Sequence, residues 1–204
     1  MTRLPEAGRN KTRLIPAIGA EGAMKIHDRL ARHTVQQCCS YSSDFAEARL
    51  KICTTGGTRL EAKKWLQTDE ADYTEQSEGN LGNRMWTAME NAFSEGFKKV
   101  IIVGTDCPDL DVEILSEATS LLDEFDVVFG PAVDGGYYLI GSRIPIASLF
   151  ENIPWGTADV LKRSTAAANK QELLVAKLRM LCDIDLPEDL AYAEESLAKS
   201  KIHP

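Results

Sequence analysis

Four apolar residues, Val100 to Val103, stop abruptly at Gly104-Thr105-Asp106-Cys107-Pro108-Asp109. A buried parallel strand delivers a carboxylate to the carboxyl edge of a sheet in this way, because ligands in open α/β folds gather where the strands end. A second apolar run, Val127–Phe129, closes with Gly130-Pro131 and then Asp134-Gly135-Gly136. We therefore expect two acidic loops at neighbouring strand ends, a place where a divalent cation can be held against a phosphorylated ligand.

The length of 204 residues suits one domain, residues 1–204, with a core large enough to need no staples. A net charge of −8 and a pI near 5.0 argue against a nucleic-acid surface, which needs clustered Lys and Arg. No apolar stretch approaches the ~20 residues that span a bilayer, and no basic-then-apolar signal opens the chain. The cysteines, Cys38, Cys39, Cys53, Cys107 and Cys182, are odd in number and contain no CxxC pair. They read as reduced thiols of a cytoplasmic protein. Cys107 adjoins the acidic loop, but a nucleophilic thiol wants a nearby base, and His27, His33 and His203 form no motif with it, so packing is its expected role.

Residues 1–18 read as loop. A helix is expected over about 21–38, from Ala23, Ile26, Leu30 and Val35. Residues 48–53 read as a strand and 58–66 as a short helix; the segment through Gly79 is polar. Residues 81–95 read as a helix with Met85, Met89, Ala92 and Phe93 on one stripe. Strand 100–103, helix 112–123 capped by Asp111, and strands 127–129 and 137–140 follow. Then come a helix over 157–168 capped by Thr157, a strand near 173–178, and a last helix opened by Asp185-Leu186-Pro187-Glu188 as a capping box. Strands alternating with helices imply an α/β fold with a mostly parallel sheet.

Five groups of residues bear on chemistry, each with two readings. Lys11-Thr12-Arg13 pairs a flexible point charge with a planar donor fork, and with the backbone N–H of Gly8 it could hold a diphosphate or be a solvated basic turn. No GxxxxGK[ST] and no GxGxxG is present. Asp106 is either a metal ligand or the acceptor in a turn, and Asp111, the better cap for the next helix, removes one structural need for it. Asp134-Gly135-Gly136 suits either a close backbone approach to a ligand or a β-turn; of Tyr137 and Tyr138, one ring fills core and the other is free to line a pocket. Asp183 and Asp185 flank Ile184 and point the same way on an extended segment; Asp185 could cap a helix, bind a metal, or do both. Trp155-Gly156-Thr157 reads as a packed corner, with a sugar platform as the alternative.

Taken together these residues resemble a known family. Pro5-x-x-Gly8-x-x-Lys11-Thr12-Arg13-Leu14 is similar to its PxPGxxKTRL opening, and Leu81-Gly82-x-Arg84-Met85 to its LGxRM segment. Gly104-x-Asp106-Cys107-Pro108, Gly130-Pro131-Ala132-x-Asp134-Gly135-Gly136-Tyr137-Tyr138-Leu139-Ile140-Gly141, Trp155-Gly156-Thr157 and Asp183-x-Asp185-x-Pro187-Glu188-Asp189-Leu190 complete the pattern. The chain resembles the DUF2064 group of bacterial glycosyltransferase-like proteins, related to the guanylyltransferases of coenzyme F420 synthesis, with some members associated with arsenosugar biosynthesis.

The resemblance implies a three-layer α/β sandwich of the GT-A, nucleotide-diphospho-sugar transferase type, and a Mg²⁺ or Mn²⁺ cofactor. By that analogy Asp106 and Asp185 are metal ligands, although Asp106-Cys107-Pro108-Asp109 is not a strict DxD. Lys11, Arg13, Gly8 and Arg84 would bind the nucleotide, Asp134 would orient or deprotonate an acceptor hydroxyl, and Gly135 and Gly136 would give it room. Arg84 could equally be a surface helix charge. The implied partners are a nucleotide sugar or an NTP and a small-molecule acceptor, with no nucleic acid and no membrane. The expected activity is glycosyl transfer, with nucleotidyl transfer to a phosphorylated small molecule as one alternative and non-catalytic nucleotide binding as another. Relatives open with an apolar strand before the basic loop, whereas this chain begins Met1-Thr2-Arg3-Leu4-Pro5. We therefore expect the usual first strand to be lacking and the true start to lie upstream.

Overall fold

Helix α1 (Ile15–Asp44) buries Ala23, Ile26, His27, Leu30, Ala31, Thr34 and Cys38, a spacing of three and four residues that puts them on one stripe. In this computed structural model, which describes residues 1–199, the helix runs well beyond the expected span of 21–38 and breaks only at Gly19, whose φ of 72° is not helical. His203 lies outside the described residues. The stripe of α1 packs on Leu14, Ile184, Ala193 and Leu197, so the last helix, α6 (Leu190–Lys199), shares its core.

Two compact units make up the chain. The first comprises Met1–Glu75, Gly104–Val112 and, among the described residues, 182–199. Its sheet has the order β1-β2-β3, all parallel: β1 (Thr2–Arg3), β2 (Leu50–Thr55) and β3 (Ala71–Glu75). A strand therefore does stand at the head of the chain, contrary to expectation. It is only two residues long, with Thr2 and Arg3 opposite Thr54 and Thr55 and the Leu4 N–H donating to Thr55 O at 2.9 Å. A strand this short needs no apolar run to announce it. Strand β3 also escaped the sequence reading, because in Ala71-Asp72-Tyr73-Thr74-Glu75 only Tyr73 is buried. Helix α2 (Arg59–Leu66) starts at a capping box in which the Glu61 N–H donates to Thr58 Oγ1 and the Thr58 N–H to the Glu61 carboxylate.

The second unit comprises Gln76–Val103 and Glu113–Leu181. Its sheet has the order β4-β6-β5-β7: β4 (Val100–Val103), β5 (Val127–Pro131), β6 (Tyr137–Ser142) and β7 (Val175–Lys177). Strand β6 pairs antiparallel with both β4 and β5, while β7 runs parallel to β5. Only residues 132–136 separate β5 from β6, too few for a crossover, so the chain turns back as a hairpin. This corrects one expectation: β6 lies between β4 and β5, and those two strand ends are not neighbours. Helix α3 (Leu81–Ser94) buries Gly82, Met85, Met89 and Ala92, and Asn80 and Asn83 cap its start reciprocally at 2.9 and 3.2 Å. Helix α4 (Val112–Leu121) follows Asp111 directly. Helix α5 (Val160–Lys170) begins later than expected; the Thr157 hydroxyl accepts from the Asp159 N–H ahead of it. Among the described residues no helix is long and apolar enough to cross a membrane.

Two buried histidines of the first unit make its stability pH-dependent. His27 Nε2 lies 2.7 Å from the Arg3 carbonyl and His33 Nε2 2.9 Å from the Leu110 carbonyl, so in each ring Nε2 carries the proton and donates. Burial lowers both pKa values below the ordinary 6.5, outweighing the backbone hydrogen bonds that raise them. The unfolded chain then binds more protons than the folded one just below that pH, so stability present above about pH 6.5 is lost as pH falls through the folded values. Thermal melts between pH 7 and pH 5.5 should show a falling Tm, and His33→Gln should fall less steeply; an equal or steeper slope in the variant would remove this histidine as a cause.

Candidate nucleotide and metal site

Residues 4–14 form a loop held by one side chain that the sequence reading overlooked. Asn10 is buried; its Oδ1 accepts from the Glu6 N–H at 2.5 Å, and its Nδ2 donates to the Leu4 carbonyl at 3.3 Å. An Asn can close such a turn because it offers both a donor and an acceptor. Gly8 has a φ of 84° with nothing within 4 Å of a hypothetical Cβ, so the backbone angle, not lack of space, calls for glycine there. Lys11 also sits in the left-handed region, at φ 46° and ψ 47°, and opens a 3-10 turn over Thr12–Leu14 that the fully buried Leu14 anchors. A lysine accepts that conformation at some cost, so surrounding contacts must hold it.

They do so through charge. Lys11 Nζ lies 2.5 Å from Asp106 Oδ1, with the lysine side chain only 6% exposed and the aspartate 51% exposed. The Asp106 carbonyl accepts from the Ile184 N–H at 2.9 Å, which lays the segment before Asp185 alongside the acidic loop. Arg13 Nη1 then meets Asp185 Oδ2 at 2.6 Å, in a pair whose side chains are 66% and 34% exposed. Each of the two expected metal acids is thus bonded to one of the two expected diphosphate cations. Four residues spread over three chain segments come together within one unit.

The neighbouring acids have other work. Asp185 is not the cap of the last helix: its own N–H and that of Leu186 both donate to Asp189 Oδ2, at 2.9 and 2.7 Å, ahead of a 3-10 turn at Pro187–Asp189. The capping acid is therefore Asp189, and the Asp185 carboxylate remains with Arg13. Asp109 accepts from the hydroxyls of Tyr192 and Ser196, which ties the loop to α6. Cys107 is buried, and burial followed by the nearby Asp106 pushes its thiol well above the usual range, consistent with packing and not with a nucleophile. All five cysteines are free thiols.

In the second unit the remaining motifs meet one another. Asp134 Oδ1 accepts from the Gly136 N–H at 2.7 Å, so its carboxylate, although exposed, also holds the turn. Gly135 was expected to leave room for a ligand, but that room is taken: a Cβ there would lie 2.3 Å from the Ala158 carbonyl oxygen, and the Gly135 carbonyl accepts from the Leu161 N–H at 3.0 Å. A Cβ on Gly136 would come within 3.0 Å of Asp134 Oδ1. Gly82 lies under Phe150 and Trp155, where a Cβ would approach the indole nitrogen to 2.6 Å. Trp155 meets Tyr137 edge-on at 6.2 Å, and Tyr137 packs on Phe129 at 5.3 Å. Trp155 is thus a packed corner joining three of the quoted motifs. Tyr138 is the core ring of the pair, and its hydroxyl donates to the Arg179 carbonyl. Arg84 donates to Gln76 Oε1 at 3.2 Å and to the Asn80 carbonyl at 3.4 Å, bracing the start of α3.

The family described as uncharacterised proteins conserved in bacteria (DUF2064) matches residues 41–157. No protein of curated function matches the sequence. A crystal structure from Desulfovibrio desulfuricans G20, described as a "putative nucleotide-diphospho-sugar transferase", superposes with a TM-score of 0.82 at 28% identity, over 97% of this chain and 94% of that one. The inositol-1-phosphate CTP transferase of T. maritima superposes with a TM-score of 0.59 at 18% identity, over 99% of this chain and 95% of its own. The 4-diphosphocytidyl-2C-methyl-D-erythritol synthase of Anaerococcus prevotii DSM 20548 does so with 0.61 at 10% identity, covering 97% and 94%. The last two likenesses establish the α/β fold that GT-A proteins and nucleotidyltransferases share.

Gly135→Ala should cost roughly 2–5 kcal/mol, from the collision with Ala158 added to the left-handed backbone angle. Gly156→Ala, at a φ of 80° with nothing within 4 Å, should cost only about 1–2 kcal/mol. Denaturant melts of the two variants check this, and equal losses would mean that Gly135 is not kept for close packing.

Proposed function

The chain belongs to the DUF2064 family, and from that footing we propose that it is a metal-dependent transferase acting on a nucleotide-diphosphate sugar and a small-molecule acceptor. The observation that carries this reading is the pairing of Lys11 with Asp106 and of Arg13 with Asp185 in one unit. Two cations on one loop suit the oxygens of a diphosphate. Two carboxylates suit Mg²⁺ or Mn²⁺, since such ions take one or two protein acids and complete their shell with water and substrate phosphate. Among the described residues no three His, Cys, Asp or Glu side chains gather to hold a metal by themselves, so this donor set fits an ion that arrives with its nucleotide.

When bound, the ion would offset charge on the departing diphosphate. Lys11 and Arg13 would hold the same oxygens in place, stabilising charge where it develops. Asn10 is a positioning residue, keeping the loop that carries both cations in shape. Within the second unit, Asp134 is the residue proposed to orient an acceptor hydroxyl or take its proton, on a turn that Gly135 and Gly136 shape.

Nucleotidyl transfer is the second reading, and one observation favours it. Tyr192 and Ser196 occupy Asp109, which leaves Asp106 as the carboxylate that the loop offers to a metal. A single loop acid completed by Asp185 resembles related nucleotidyltransferases more than a DxD pair. In that reaction a phosphate of the acceptor attacks the α-phosphorus of an NTP and pyrophosphate leaves.

Incubation with nucleotide sugars should release a nucleoside diphosphate; release of pyrophosphate from an NTP plus a sugar or polyol phosphate would instead select the second reading. Asp106→Ala should lower turnover by a few hundred-fold, about 3–4 kcal/mol of barrier. Unchanged turnover in that variant with metal present would rule out the role given to Asp106. Nucleotide binding without turnover across the whole panel would leave a non-catalytic binding protein.

A further inference from the structure

We infer that the two ion pairs act as a lock that makes the divalent cation and the diphosphate bind together, each weakly alone and strongly as a pair. This rests on the proposed site and goes beyond it by assigning an order to its filling. As the chain stands, two carboxylates and two cations cancel within the cluster. A divalent cation arriving alone must share Asp106 with an ammonium 2.5 Å away, or expel it. Expulsion is costly because the Lys11 side chain is 6% exposed, and a buried cation deprived of its partner loses far more than an exposed one. A diphosphate arriving alone faces the mirror problem, since both cations that would hold it are already neutralised. A metal–diphosphate complex removes both obstacles at once: the metal takes the carboxylates, the phosphate oxygens take Lys11 and Arg13, and every charge keeps a partner.

The two pairs should not contribute equally. Arg13 is 66% exposed, and exposed pairs are worth little because water replaces either partner. The coupling therefore resides mainly in Lys11 and Asp106. Reciprocity requires that metal strengthen anion binding by the same factor as anion strengthens metal binding, and couplings of this kind run from about fivefold to 150-fold.

The test uses the full chain, with Mg²⁺ alone, inorganic pyrophosphate in EDTA, and the two together, read by calorimetry and thermal shift and corrected for complexation in solution. Wild-type protein should bind the pair at least about tenfold more tightly than independent binding predicts. Asp106→Asn releases Lys11, so it should bind metal-free pyrophosphate about tenfold more tightly than wild type while losing Mg²⁺. Asp185→Asn should change metal-free binding by only about twofold. Lys11→Gln leaves no buried charge and is the variant to use if Asp106→Asn does not fold; it should bind Mg²⁺ alone about tenfold more tightly and lose the coupling. Independent binding in wild type, or unchanged Mg²⁺ affinity in Lys11→Gln, overturns the lock while leaving the transferase reading in place. Failure of wild type to bind Mg²⁺, pyrophosphate or their complex overturns both.

Discussion

The shielded ammonium of Lys11 against Asp106 is the contact that decides where the polar groups of the first unit converge. It draws the loop of residues 4–14 onto the segment that follows β4, two parts of the chain almost a hundred positions apart. The loop can reach because Asn10 closes it and because Lys11 itself adopts a left-handed backbone that a lysine would not choose unaided. Leu14 then enters the core shared by α1 and α6, and Ile184 in the same core donates its N–H to the Asp106 carbonyl. Hydrophobic burial and charge pairing thus hold the same three segments in register. Burial supplies most of the cohesion, and the ion pairs specify which polar groups converge.

The second unit is organised by close packing instead of charge. Gly135 admits the Ala158 backbone, Gly82 admits Trp155, and Tyr137 bridges Trp155 to Phe129. Motifs that read separately as ligand-binding pieces are also one another's packing partners. This does not exclude a role in binding, since Asp134 stays exposed on the turn that this packing shapes. It does mean that losing either glycine would act through the scaffold first.

Much was legible in the chain before any coordinates. The helical stripe of α1, the short helix of α2, the Met85, Met89 and Ala92 stripe of α3 and the run at 100–103 each carry a local signal strong enough to survive tertiary context. The illegible parts share a cause: their signal is not local. Strand β1 is two residues defined by partners some fifty positions away, and β3 shows a single buried side chain. Helix α6 starts at Leu190, not at Asp185, because Asp189 reaches back to cap the preceding turn while Arg13 claims the acid that a spacing rule would have chosen.

Residue order along the chain sufficed for the α/β class and for marking the Lys11-Thr12-Arg13 loop and Asp106 as candidates, because periodicity and abrupt strand ends are short-range properties; it was the family resemblance that joined them with Asp185 as a set. Which acid faces which cation could not be read that way. Asp106, Asp109, Asp185 and Asp189 are alike in charge and similar in setting, and each acquires its role from a partner brought in by the fold: Lys11, the Tyr192 and Ser196 hydroxyls, Arg13, and two backbone N–H groups. Charge pairing acts over a few ångströms of space, whatever the distance along the chain, so those assignments wait on three-dimensional packing.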